Sequence, residues 1–147
     1  MQHTDKALTL HLLPVFKADY LELSLDSDKK YLEARWVKVV SSSEFRSGIE
    51  AIIMQITANA VELLLLDLRA TGTPSISDQN WVAKRLMSLN KQTSLRRSAR
   101  VYSEDILQHV VGEVITARVE TLVYDVQAFS CEALAREWLL TNKIATQ

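Results

Sequence analysis

The sequence predicts an α/β fold with a mostly parallel, mixed sheet, and three observations support this. Two alternating segments, Tyr20 to Leu25 and Tyr31 to Val39, stand near the N-terminus with a polar turn between them. A short unbroken apolar run, Val61 to Leu66, follows a helical pattern. Helices and short strands then alternate to the end, in the order β-β-α-β-α-β-α-β-α. Such αβ units with short connections imply right-handed crossovers, a sheet of about five strands and about four helices packed on it.

Taken in chain order, Leu8 to Phe16 is apolar but interrupted by Pro14, so residues 1–19 form an N-terminal arm or an edge strand. Leu21, Leu23 and Leu25 alternate with Tyr20, Glu22 and Ser24, the period of a strand with one buried face. The turn DSDKK and a second alternation around Leu32, Ala34 and Trp36 complete an antiparallel hairpin. Ser41 and Glu44 have capping-box spacing, and Phe45, Ile49, Ile52, Ile53 and Ile56 follow at helical spacing. Val61 to Leu66 is too short for a helix and suits a central strand covered on both faces. Ser77 is placed to cap the next helix, with Ile76 and Trp81 as a hydrophobic staple and Val82, Leu86 and Leu89 inward.

After the polar loop NKQTSLRR, Ser98 to Tyr102 is a short strand. Ser103 to Arg118 is a helix whose apolar face carries Ile106, Leu107, Val110, Val111 and Val114. Thr121 to Val126 is the last strand. Ser130 then caps a final helix, stapled by Phe129 and Leu134 and continuing to Trp138 and Leu139.

Length and composition bound the class. The chain has 147 residues, 48% hydrophobic and 24% charged, which fits one domain over residues 1–147. The N-terminus has no basic head with an uninterrupted apolar run and cleavage site, so no secretory signal is expected. No window resembles a membrane span. The single cysteine, Cys131, excludes an internal disulfide and fits a reducing, cytoplasmic setting. A net charge of -1 gives no global attraction to nucleic acid or anionic membrane.

That near-neutrality conceals an asymmetry. Lys84, Arg85, Lys91, Arg96, Arg97 and Arg100 fall in a stretch without acids, +6 against -7 for the rest of the chain. They make a candidate basic surface for an acidic partner.

Several features together resemble the STAS, or SpoIIAA-like, superfamily, in particular its small stand-alone bacterial members. They are the order of elements, the apolar strand ending in Asp67-Leu68, the strand ending in Val101-Tyr102-Ser103, and the final Phe129 to Leu139 stretch with Glu137-Trp138-Leu139. The likeness spans Tyr20 to Leu140. It implies a regulatory or protein-interaction module that works by contact, without catalysis or a cofactor. In the antagonist branch of that superfamily, a serine at the helix N-terminus after the matching strand is phosphorylated, and the phosphate breaks the complex. The corresponding loop here lacks the Asp-Ser-Ser-Gly pattern, and Asp67, Thr71, Thr73, Ser75 and Ser77 make up the candidate switch.

A second candidate lies at the carboxyl ends of the strands, where open αβ sheets bind ligands. Ser103, Glu104, Asp105 and Asp125 are placed there, and converging carboxylates are a route to a metal or a general base. Glu104 and Asp105 are equally explained as acids at a helix start. His3, His11 and His109 lack ligand spacing, and no phosphate-cradling glycine loop or nucleophile elbow is present, so no metal, cofactor or enzyme activity is expected. Trp36, Trp81 and Trp138 are core residues or cavity lining. Two functions follow: a module binding a protein partner or itself as a homodimer, and a binder of a small apolar ligand in a cavity between sheet and helices. The first predicts a solid core and the second a continuous cavity.

Overall fold

A computed structural model describes residues 9–119 and 121–142. His3 lies outside them. The elements are β1 (Leu13–Lys17), β2 (Leu21–Asp26), β3 (Tyr31–Trp36), α1 (Ser42–Asn59), β4 (Leu63–Asp67), α2 (Ile76–Asn90), β5 (Arg97–Val101), α3 (Ile106–Ala117), β6 (Asp125–Phe129) and α4 (Glu132–Thr141). The α/β class holds, with six strands rather than five. The added strand is β1, which among the described residues pairs with β2 alone and carries Pro14 and a register irregularity between Pro14 and Phe16. An edge is where a residue without an N–H is tolerated.

The sheet runs β1-β2-β3-β4-β5-β6, antiparallel through the hairpin and parallel from β3 to β6. All three parallel crossovers step the same way across it, so a single handedness puts α1, α2 and α3 on one face. Leu23, Leu32, Ala34, Trp36 and Leu64 meet Phe45, Ile52, Ile56, Val82 and Ile115 there. Helix α4 covers the other face, where Tyr31, Leu63, Leu65, Ala99 and Val101 meet Ala135, Trp138 and Leu139, with Leu10 and Leu12 from the segment before β1 packed beside them.

The alternation along β3, β4 and β5 decides which face each polar side chain joins. Glu33, Arg35, Asp67 and Arg97 share the parity of the α4-side residues, whereas Arg100 shares that of the α1–α3 side. The α4 interface is therefore partly ionic. Buried Glu33 accepts from Arg136 at 2.8 Å, and Glu132 accepts from both Arg136 and Arg35 at 2.9 Å.

Several expected boundaries move. The capping box of Ser41 and Glu44 is formed on both sides. The cap of α2 is Ser75, not Ser77: its Oγ accepts from the Asp78 N–H at 3.1 Å, and Ile76, two residues earlier than expected at the helix start, is exposed. The staple therefore does not form, and Trp81 instead lies under the Arg46 guanidinium. On α4 the cap position is Cys131, without a side-chain cap bond, so the Ser130 cap and the Phe129 and Leu134 staple shift out of register. Phe129 packs on Trp138 instead.

The largest difference concerns α3. It starts at Ile106 behind the cap Asp105, and the residues expected to face inward face out: Ile106, Leu107, Val110 and Val114 are 40% to 78% exposed. Gln108 and Ile115 are buried instead, with Val111 against the core. The last strand is also later than expected, Asp125–Phe129 rather than Thr121 to Val126.

Candidate functional site

The carboxyl ends of β4 and β5 open beneath α3, and Gln108 closes this crest. Its Nε2 donates to the Leu68 carbonyl at 2.6 Å and to Thr71 Oγ1 at 3.4 Å. Its Oε1 accepts from the Ser103 N–H at 2.8 Å and the Ser103 hydroxyl at 3.1 Å. One buried amide thus ties the loop after β4, the end of β5 and the first turn of α3, with both ends satisfied as burial demands. Sequence reasoning passed over it. The available signal was the spacing of Gln108, Val111 and Ile115, a helical face with one polar member.

Below Gln108, an apolar cavity of about 120 Å³ lies between the sheet and α1, α2 and α3. Phe45, Ile49, Leu66, Val82, Leu86 and Val111 form much of its wall. Arg100 reaches it from β5, 8% exposed. Its guanidinium donates to the Thr116 hydroxyl, which in turn donates to the Gly112 carbonyl at 3.0 Å, while its Nε has no partner. Among the described residues no carboxylate forms an ion pair with it.

On its other side Arg100 lines an open hollow of about 310 Å³ with Tyr102, His109, Glu113, Thr116 and Ala128. Glu113 is engaged by His109 at 3.3 Å, and the His109 ring lies on Tyr102 at 5.0 Å between centroids. Burial pushes the Tyr124 phenol up, with the charge of Arg100 opposing it, so this neighbour is neutral near pH 7.

The expected switch loop divides. Asp67 is 4% exposed and faces α4, where Arg69 Nη2 donates to Oδ2 at 2.7 Å and Nε to Oδ1 at 2.9 Å. Thr71 is buried and its hydroxyl donates to the Leu68 and Gly72 carbonyls, both at 3.0 Å. Thr73 is exposed, Ser75 is the cap, and Ser77 Oγ accepts from Arg46 Nη2 at 3.1 Å. The loop's anchor is a residue not singled out, Asp78, buried and accepting from Ser42 at 2.7 Å and Arg46 at 2.8 Å.

The basic surface does not assemble. Arg85 is engaged by Glu50 at 2.7 Å, Arg96 by Glu62 at 3.7 Å, and Arg97 donates to the Leu139 carbonyl at 2.7 Å on the α4 face. Arg100 is buried on the opposite face, while Lys84 on α2, Lys91 just after it and Arg96 before β5 are exposed. A run of like charges along the chain is split by strand alternation and by acids from α1 and the loop before β4.

The strand-end acids do not converge either. Ser103, Glu104 and Asp105 lead into α3, with the Asp105 N–H on Ser103 Oγ at 3.2 Å and Asp105 Oδ1 accepting from Leu107 at 2.9 Å. Asp125 begins β6 in register with Arg97, about 13 Å along the strand direction from Asp67 and two strands across the sheet. Among the described residues no group of three or more His, Cys, Asp or Glu stands close enough to hold a metal ion. The tryptophans are packing: Trp36 lies between Tyr20 and Phe45, and none lines the cavity. No helix among the described residues is long and apolar enough to cross a membrane. No protein-family model, curated protein or solved structure matches this chain.

Proposed function

We propose that this chain is a non-enzymatic interaction module of the STAS/SpoIIAA-like type, working by contact through the outward face of α3. The observation that carries this is the run Ile106, Leu107, Val110 and Val114, apolar residues at helical spacing left in solvent. Contiguous exposed apolar surface of this kind marks association sites. The occupant is a second copy of the chain, since two-fold pairing lets one apolar helix face cover its own counterpart. Sedimentation velocity across a concentration series tests it: the native chain dimerises and Val110→Glu is monomeric. A native chain that stays monomeric throughout the series refutes the homodimer.

A second reading, binding of a small apolar ligand, is favoured by the cavity under Gln108. Its volume is comparable to the roughly 150 Å³ apolar cavities that accept benzene. Saturable binding of 1-hexanol, weakened by filling the cavity with Val111→Phe, is the expected result.

A further inference from the structure

We propose that Arg100 and the cavity beside it form a site for an organic monoanion with a short apolar tail, a monocarboxylate of about six carbons. This rests on the ligand-binding reading and names the chemistry that reading would take. The carrying observation is a guanidinium that is buried, without an ionic partner among the described residues, and placed against a wall of aliphatic and aromatic side chains. A cation removed from water is costly unless it is paired and hydrogen-bonded. Arg100 has five donors, and the Thr116 hydroxyl is the hydrogen-bond acceptor it has found.

The neighbouring groups do not supply the missing charge. Glu113, across the open hollow, is exposed, lies against His109 at 3.3 Å and forms no ion pair with Arg100. Tyr124 is neutral, and Gln108 spends both ends of its amide on Leu68, Thr71 and Ser103. A carboxylate meets a guanidinium through two oxygens, and Arg100 has donors beyond the one that meets Thr116. One cation balances one negative charge, so a monoanion suits this site better than a dianionic phosphate ester. The tail then occupies the space between Ile49, Leu86 and Val111. The hollow lined by Tyr102 and Thr116 adjoins Arg100 and gives the head group a path from solvent.

Titration calorimetry at pH 7 with hexanoate, 1-hexanol and acetate tests the site. Hexanoate should bind about tenfold or more tightly than 1-hexanol, the scale of a hydrogen bond to a charged group, and acetate should not saturate. Arg100→Gln should erase the preference for hexanoate. Val111→Phe should weaken both six-carbon probes while leaving Arg100 in place, which keeps the test decisive if Arg100→Gln fails to fold. Equal affinity for hexanoate and 1-hexanol in the native chain overturns the anion site and leaves the cavity reading standing. Binding of neither probe overturns both, and hexanoate binding unchanged in Val111→Phe overturns the assignment to this cavity.

Discussion

Arg69 grips Asp67 at two points, Nη2 to Oδ2 at 2.7 Å and Nε to Oδ1 at 2.9 Å, from only two residues further along the chain. Burial raises the Asp67 pKa, but the side-chain and backbone hydrogen bonds from Arg69 together hold it below its ordinary 3.8. A folded-state pKa below the unfolded one stabilises the fold above the unfolded value, and that contribution is lost as pH falls through the folded one. Asp67→Asn should therefore cost about 1–2 kcal/mol at pH 7, the low end of a hydrogen bond to a charged group because Arg69 is partly exposed and screened by solvent. Urea unfolding of both proteins at pH 7 and again near pH 2 should show the gap closing; an equal gap at both would deny the ion pair its role.

The shifted helix start gives a direct comparison of two serines. Ser75→Ala removes the cap of α2 and should lower stability by about 1 kcal/mol. Ser77→Ala loses only an exposed contact with Arg46 and should cost less than about 0.5 kcal/mol. Thermal unfolding of the two variants side by side distinguishes the assignments. Equal losses would return the cap to doubt.

Gly48 sits in α1 where a Cβ would collide with the six-membered ring of Trp36, a ring fixed between Tyr20 and Phe45. Alanine normally gains about 1 kcal/mol over glycine in a helix interior. Here Gly48→Ala should lose about 1–3 kcal/mol net, as overpacking does. Denaturant unfolding, together with a shift of Trp36 fluorescence, reads both effects.

Glu33 is buried with one oxygen on Arg136 and the other unpartnered. Arg136→Met strands that carboxylate and should destabilise the fold by about 2–3 kcal/mol, less than for a wholly buried pair because Arg136 is partly exposed. The double variant Glu33→Leu with Arg136→Met should recover most of the loss. A double-mutant cycle measures it, and additive losses would show that the two residues act independently.

The two faces of α3 show how far the sequence could be followed and where it stopped. Ile106, Leu107, Val110 and Val114 have helical spacing, and so do Gln108, Val111 and Ile115. Periodicity favours the more apolar set for the core. In the folded chain the less apolar set turns inward, because Gln108 finds partners on Leu68, Thr71 and Ser103 that lie 5 to 40 residues away in sequence. The same remoteness hid Asp78, whose partners Ser42 and Arg46 come from α1.

Local physics in the chain by itself determined the α/β class, the hairpin, the capped α1 and the leucine strand β4, since alternation, capping and apolar runs act within a few residues. Only the tertiary structure decided which side of the sheet each charge of Arg96, Arg97 and Arg100 would join. It alone separated Asp125 from Asp67 and buried Arg100 beside a cavity. Those outcomes depend on strand register and on contacts between residues far apart in the chain, where a one-residue shift moves a side chain to the other face.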